Sequence, residues 1–354
     1  MLPDHPTGPQ EGAAIAHLAT EVWYAVERSS ALTEEPLPLV FAGRSYVLFR
    51  DEDGRPRLFA DRCPHRGARL SEGRLENGRL RCPFHGWLFD GDGHCREIPA
   101  HPPGTVHPNH CDLVSANPVC DHLGFIWLWW GRLPSEPERL PDLPTYPAET
   151  WRSVSAEFPW NTHFTRVVES TLDNSHAYWV HNSTFATQAS PLSEPYGLVK
   201  QDRHVRASVR YELPVPRWLS VLQRLRGRPA ELVAETTFSL YFPNLNIVDT
   251  RVGDLMHVVF VHASVPLTAT SSVGRWIKYS PRRPGFRLPG AEEKSIAISR
   301  SIYEEDHGVV QSQRPYAVPL DFRCESHVAS DLLSLEYRKM LRRELERSSA
   351  ALRP

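Results

Sequence analysis

Between residues 38 and 60 the apolar positions come in short alternating runs, PLVFAG, SYVLFRD and PRLFAD, cut by Gly and by Asp53-Gly54. Period-two alternation predicts half-buried strands, and Asp-Gly between two of them predicts a tight hairpin. Two further turn signals, Ser71-Glu72-Gly73 and Glu76-Asn77-Gly78, lead into RLRC and GWLFD, which read as strands and stop at Gly91-Asp92-Gly93. GFIWLWW (125–130 with its leading Gly) is a last apolar strand, so 38–133 is expected to be a small all-β domain. The Pro-rich stretch 134–147, PSEPERLPDLPTYP, is expected to be a connector. Beyond it, 148–354 reads as a second domain. It has a helix over 163–182, at least three long β-type runs within 203–280, a loop at 282–290, and helical composition over 291–313 and 324–349. That is an α+β chain whose second half combines an antiparallel sheet with helices. At the front, 1–37 is expected to be an arm followed by a helix that packs with the second domain, because 17–35 mixes helix formers with Trp23 and Tyr24.

Composition narrows the partners. A formal net charge of −2 over 354 residues offers no basic field for nucleic acid. No apolar run nears the ~20 residues needed to cross a bilayer, and the N-terminus lacks a basic start with a long apolar core. A chain without a membrane anchor is the expectation. Six scattered cysteines do not suggest a disulfide framework, so a reducing cytoplasm is the expected setting.

Chemistry concentrates in two places. Cys63-Pro64-His65 and Cys82-Pro83-Phe84-His85 each put one Cys and one His in a short Gly-containing loop, CPHRG and CPFHGW. Four such ligands can hold one zinc or one 2Fe-2S cluster. A structural zinc more often takes C-x2-4-C with a separated His pair. In a Rieske cluster two thiolates hold one iron and two imidazoles the other, and loops that each carry one Cys and one His reach both irons.

The second place is Glu169-Ser170-Thr171-Leu172-Asp173-Asn174-Ser175-His176-Ala177-Tyr178-Trp179-Val180-His181. At about 100° per residue, His176 lies roughly 60° to one side of Asp173 and His181 roughly 80° to the other. All three share one face, but histidines five apart splay on a regular helix, so a bend or bulge is expected. Two His plus a carboxylate is the facial triad of mononuclear non-haem Fe(II). Asp173 fits either that carboxylate or a partner of a ligand histidine. Two histidines of no metal role are the bland alternative, outweighed by the cluster motif upstream.

Together, CPHRG…CPFHGW and D-x-x-H-x4-H resemble the terminal oxygenase component of Rieske non-haem iron oxygenases. IPAHPP after the second loop and the moderate length are more similar to the pheophorbide oxygenase and vanillate demethylase branch. The resemblance implies a Rieske 2Fe-2S domain ligated by Cys63, His65, Cys82 and His85, and a helix-grip-like catalytic domain. It also implies a distant third iron ligand. Ile302-Tyr303-Glu304-Glu305-Asp306-His307-Gly308-Val309-Val310-Gln311-Ser312-Gln313 resembles the family's E-D-x-x-V-V-x-x-Q helix, which makes His176, His181 and Asp306 the iron ligands, with Glu304 and Glu305 as weaker candidates. Asp173 then becomes the bridge that carries electrons from the cluster of a neighbouring subunit in a head-to-tail homotrimer. Ser170 stands where the family often has Asn, and Gln311 where it often has Glu. The implied system takes electrons from NAD(P)H through a ferredoxin and/or flavin reductase and uses O2 to hydroxylate a C–H bond. O- or N-demethylation is the alternative outcome on the same chemistry.

A Rieske electron carrier without oxygenase activity explains 40–130 but leaves the second His/Asp set idle, and a structural zinc explains less. Trp127, Trp129 and Trp130 read as strand packing. The basic runs at Arg224–Arg228 and Arg338–Arg343 read as solvated faces as readily as docking sites for an acidic partner. Pocket walls are expected from the sheet and the loop after His181, with Phe185, Leu192, Tyr196, Tyr241, Phe242 and Phe260 apolar, and Asn244, Asn246 and His257 polar. They suggest a medium-sized, partly apolar organic substrate.

Overall fold

The computed structural model describes residues 15–114, 117–132, 139–181, 184, 196–213, 232–282 and 289–351. The chain divides into two compact units, Met1–Leu143 with Val265–Ala269, and Pro144–Ser264 with Thr270–Pro354. The division falls inside the Pro-rich stretch. No helix among the described residues is long and apolar enough to cross a membrane.

The first unit is all β. Its strands are β1 (Val22–Arg28), β2 (Leu37–Phe41), β3 (Arg44–Arg50), β4 (Pro56–Ala60), β5 (Arg74–Glu76), β6 (Arg79–Arg81), β7 (Leu88–Phe89), β8 (Cys95–Glu97), β9 (Val119–His122) and β10 (Phe125–Trp130). They form three sheets, ordered β1-β10-β9, β2-β3-β4 and β5-β6-β7-β8. One expectation fails here: Val22–Arg28 is not a helix and lies within this unit. It pairs antiparallel with β10, Val22 opposite Trp130 and Arg28 opposite Phe125. VWYAV is rich in β-branched and aromatic residues, and the cross-strand partner in FIWLWW decides what helix propensity leaves open. Both tight hairpins form as expected. Asn77 and Gly78 take φ of 53° and 73° between β5 and β6, the left-handed pair an Asn-Gly turn supplies.

The second unit holds β11 (Trp151–Trp160), α1 (Phe164–Leu172), α2 (Ala177–Val180), β12 (Val199–Lys200), β13 (His204–Leu213), β14 (Leu232–Tyr241), β15 (Leu245–Val252), β16 (Met256–Pro266), β17 (Ser272–Pro281), α3 (Ala291–Ser312) and α4 (Leu332–Ala351). Its seven strands make one sheet in the order β11-β17-β16-β15-β14-β13-β12. Helices cover one face. The Tyr303 ring of α3 lies 5.7 Å from Phe158, 5.4 Å from His262 and 6.0 Å from Trp276. Asn246 Nδ2 of β15 donates to the Val168 carbonyl of α1 at 2.9 Å. A buried ion network ties α1 to α4: Arg338 pairs with Glu169 through both nitrogens and with Glu325 at 2.6 Å, and Arg166 reaches Glu325 at 2.8 Å.

Candidate metal centres

The two Cys/His loops have the same backbone frame. Cys63 N–H donates to the Ala68 carbonyl at 2.8 Å and Gly67 N–H to the Cys63 carbonyl at 2.9 Å. Cys82 N–H donates to the Trp87 carbonyl at 2.9 Å and Gly86 N–H to the Cys82 carbonyl at 3.2 Å. Each turn needs a left-handed residue, and Gly67 (φ +72°) and Gly86 (φ +70°) supply it. The frame buries both cysteines to 2% exposure among Phe59, Leu70, Leu80 and Phe89, while His65 and His85 stay exposed. The two imidazole rings lie 4.4 Å apart, and His65 stacks on Trp87 at 4.8 Å with planes 5° apart.

Burial, with the Cys82 thiol alongside, pushes the Cys63 thiol up to about 12, even though the His65 and Arg66 backbone N–H groups pull it down. The protein alone disfavours the thiolate, and a metal that binds thiolates offsets that cost. Among the described residues, the convergent set of three or more His, Cys, Asp or Glu ligand atoms lies elsewhere. Two buried thiols and two exposed imidazoles suit a cluster whose two irons are held separately.

That convergent set is His176, His181 and Asp306. The expected helix over 163–182 is two pieces, and the break makes the convergence possible. α1 ends at Asp173, which turns extended (φ −73°, ψ 125°). Asp173 Oδ1 accepts from Ser175 N–H and Ser175 Oγ, both at 2.7 Å, closing a local turn that competes with the helix. His176 then caps the start of α2, so both imidazoles point to one place. His176 Nε2 lies 3.3 Å from His181 Nε2, and Asp306 Oδ1 lies 3.5 Å from the first and 3.4 Å from the second. A metal with bonds of about 2.0–2.2 Å to N and O ligands has edges of this length.

The donor set also asks for a cation. Asp306 Oδ1 is buried and has no hydrogen-bond donor. Burial, reinforced by the charges of Glu305 and Asp173, raises the Asp306 carboxyl above its usual range despite the opposing pull of His181 and His176. His176 is shifted up. Burial works against the shift most strongly, but the Asp173 carboxylate and the Asp306 charge outweigh it.

Each histidine has its own acid on the side away from the triad. Asp173 Oδ2 lies 3.5 Å from His176 Nδ1. Glu305 Oε2 lies 2.9 Å from His181 Nδ1 and accepts from Thr184 Oγ1 at 2.7 Å. Sequence reading had Glu305 only as a substitute ligand. Its actual place follows from helix geometry: neighbouring residues point ~100° apart, so Asp306 faces the Nε2 atoms while Glu305 reaches round to Nδ1. Glu304 is off the site, 3.8 Å from Arg300 on the exposed side. Ser170 lends its carbonyl to Asp173 N–H at 3.3 Å, and Gln311 Oε1 is buried without a partner.

The expected pocket residues scatter. Phe260 faces α3 and packs 6.0 Å from Trp276. His257 has the opposite strand parity and pairs with Asp249 at 2.9 Å. Asn244 and Asn246 spend their amides on the carbonyls of Ser264 and Val168. Tyr241 stacks on His204, and Tyr196 donates to the Ser330 carbonyl. Phe185, Leu192 and Arg224–Arg228 lie outside the described residues.

Comparison with known proteins gives the same two-part picture. The Rieske [2Fe-2S] domain matches residues 22–114, and the vanillate O-demethylase oxygenase C-terminal domain matches residues 160–347. The oxygenase component of dicamba O-demethylase from Stenotrophomonas maltophilia is 33% identical over 172 residues, 47% of this chain and 49% of that protein. Chlorophyllide a oxygenase from Chlamydomonas reinhardtii is 38% identical over 174 residues, 46% of this chain and 25% of that protein. The chain thus spans about half or less of the length of the curated relatives it matches. The crystal structure of dicamba monooxygenase bound to dicamba shares the fold, with a TM-score of 0.70 over 96% of this chain and all of that one at 20% identity. With one domain match covering more than half of its length and the Rieske match preceding it, the chain belongs to the Rieske oxygenases of the vanillate O-demethylase type.

Proposed function

We propose that this chain is the terminal oxygenase of a multicomponent system that mono-oxygenates a C–H bond of a medium-sized, partly apolar organic substrate. The reading rests on one observation: three ligand atoms converge to within 3.5 Å of one another around a buried, donorless carboxylate oxygen, in a chain that also carries the paired Cys/His loops. Cys63, His65, Cys82 and His85 would hold the 2Fe-2S cluster, and His176, His181 and Asp306 one Fe(II). Bound there, the two metals supply single-electron transfer and activation of dioxygen at open coordination positions.

The side chains do the positioning. Glu305 accepts the His181 Nδ1 proton, which leaves the Nε2 lone pair facing Asp306. Asp173 Oδ2 stands on the corresponding side of His176, 3.5 Å from Nδ1, as a charge and not as a hydrogen-bond acceptor. It also retains a third of its side-chain surface, which suits the role of bridge to a cluster held by the next subunit of a homotrimer. Overall, R–H, O2, two electrons and two protons become R–OH and water, the electrons coming from NAD(P)H through a ferredoxin and/or flavin reductase. Where the oxidised carbon carries oxygen or nitrogen, the product collapses with loss of that carbon. The dicamba O-demethylase relative supports this demethylation as the second reading. All six cysteines are unpaired, in keeping with a reducing, cytoplasmic setting.

Absorption and EPR spectroscopy of the purified protein test the reading. A reduced-cluster signal, with His176→Ala keeping that signal while losing the second iron and all turnover, is expected. A colourless protein, or an active His176→Ala variant, refutes it.

A further inference from the structure

The second Cys/His loop is held from outside by a charge. Arg81 stands directly before Cys82 at the end of β6, and its Nη1 donates to the carbonyl of Gly86, the glycine that turns the loop, at 2.6 Å. Gly86 N–H in turn donates to the Cys82 carbonyl, so guanidinium, glycine and ligand cysteine form one hydrogen-bonded unit. A methyl group at Gly86 would meet Pro99 Cγ at 3.2 Å and Arg81 Nη1 at 3.8 Å, so the guanidinium lies close against the turn.

Arg81 is the inner end of a charge chain. Its Nη2 lies 2.7 Å from Glu76 of β5 and 3.0 Å from Glu97 of β8, and Arg74 lies 2.8 Å from Glu76. The four charges sum to zero, but they are not placed evenly. The Arg81 side chain is 12% exposed, against 34% for Glu76 and 48% for Glu97. The cation therefore sits against the ligand loop, while both carboxylates stand further into water, which screens their fields. The hydrogen bond from Glu76, then that from Glu97, raises the Arg81 pKa, so its charge is permanent.

Arg62 makes the contrast. It precedes Cys63 as Arg81 precedes Cys82, and a methyl group at Gly67 would meet its Nε at 3.3 Å, but Arg62 is exposed. The same charge in the same place of the frame is shielded from water in one loop and bathed by it in the other.

Reduction adds one negative charge to what the loops hold, and a shielded cation beside a loop favours that state. Resting on the cluster reading above, we propose that Arg81 is a positioning residue for electron transfer: it clamps the second ligand loop through Gly86 and holds the reduction potential of the cluster up.

Redox titration of the holoprotein, followed through the visible spectrum of the cluster, tests this. Arg81→Gln should lower the midpoint by at least a threefold change in the one-electron equilibrium constant, about 28 mV at 59 mV per tenfold. Arg81→Lys should recover at least half of that fall. Glu76→Gln and Glu97→Gln should each move the midpoint the other way, upward. A merely loosened loop would not reverse its effect with the sign of the charge removed. An unmoved midpoint in Arg81→Gln, a fall in either glutamate variant, or an equal fall in Arg62→Gln overturns the proposal. If Arg81→Gln loses its cluster, the two glutamate variants decide alone. An unsubstituted protein that holds no cluster would sink the cluster reading and this proposal with it, whereas cluster-bearing variants that share one midpoint sink this proposal alone.

Discussion

Glu305 Oε2 sits 2.9 Å from His181 Nδ1, on the side of the imidazole away from the metal triad. The contact fixes which nitrogen of His181 carries the proton and so which one faces Asp306. Glu305→Gln keeps a hydrogen-bonding group but removes the charge. It should weaken iron binding at the second site by about 10–100-fold, with the cluster spectrum unchanged. Iron content after dialysis against graded chelator measures this, and full iron retention in both Glu305→Gln and Glu305→Ala would exclude the role.

Asp306 ties metal binding to stability. With the buried Oδ1 facing no donor, occupancy by Fe(II) should raise the melting temperature in proportion to RT ln(1 + [Fe]/Kd), about 2.7 kcal/mol at 100 times Kd. Asp306→Ala should show no such rise. Anaerobic thermal melts with and without added Fe(II) compare the two.

Arg338 is 4% exposed at its side chain and pairs with both Glu169 and Glu325. Its removal leaves two carboxylates to Arg166 alone, 2.8 Å from Glu325 and 3.6 Å from Glu169, and Glu169 is already pushed upward chiefly by burial. Arg338→Ala should cost about 3–5 kcal/mol, the range for breaking a buried ion pair from one side. Denaturant unfolding of the second unit's transition reads the loss. Glu169 lies four residues before Asp173, so weaker iron binding should accompany it.

Gly274 lies where a side chain does not fit. A methyl group there would meet His262 Nε2 at 2.5 Å and Trp160 Nε1 at 3.1 Å. Gly274→Ala should destabilise by about 1–3 kcal/mol through overpacking. Unchanged denaturant midpoints would mean that the two rings move aside freely.

In the first unit, His94 Nδ1 and Asp112 Oδ2 are 3.0 Å apart, and Asp112 Oδ1 also accepts from Cys95 N–H at 2.8 Å. The hydrogen bond to Asp112, then its charge, raises the His94 pKa. Asp112 is lowered: burial opposes this, but the His94 hydrogen bond and the Cys95 N–H prevail. The pair therefore stabilises fully between the ordinary carboxylate and histidine values, roughly pH 4 to 6.5. Stability fades as pH rises through the elevated His94 pKa and as it falls through the depressed Asp112 pKa. The melting-temperature gap between the protein and Asp112→Asn should be widest near pH 5–6 and narrower by about pH 8. A gap flat across that interval would dismiss the pairing.

The Cys/His loops were legible because their ligands and the glycines that turn the chain are contiguous. Asp173, His176 and His181 were nearly so, and the clash of a five-residue spacing with helical period already demanded the break. Asp306 came from resemblance, since no local pattern links it to residues 125 or more positions earlier. The part Glu305 plays beside His181 is not legible in sequence, because adjacency to Asp306 hides a ~100° difference in direction. Val22–Arg28 misled because its partner strand lies about a hundred positions away, and strand preference is settled by such partners. Among the pocket residues on strands, parity decided: the odd separation of three residues sends Phe260 to the helix side and His257 to the other.

The matched frames around Cys63 and Cys82 carry a kinetic consequence. Each loop is closed by its own backbone hydrogen bonds and a glycine of fixed hand, so a cluster held by these residues would sit in a frame that the backbone sets without it. Such a frame would favour a small rearrangement on gain or loss of an electron.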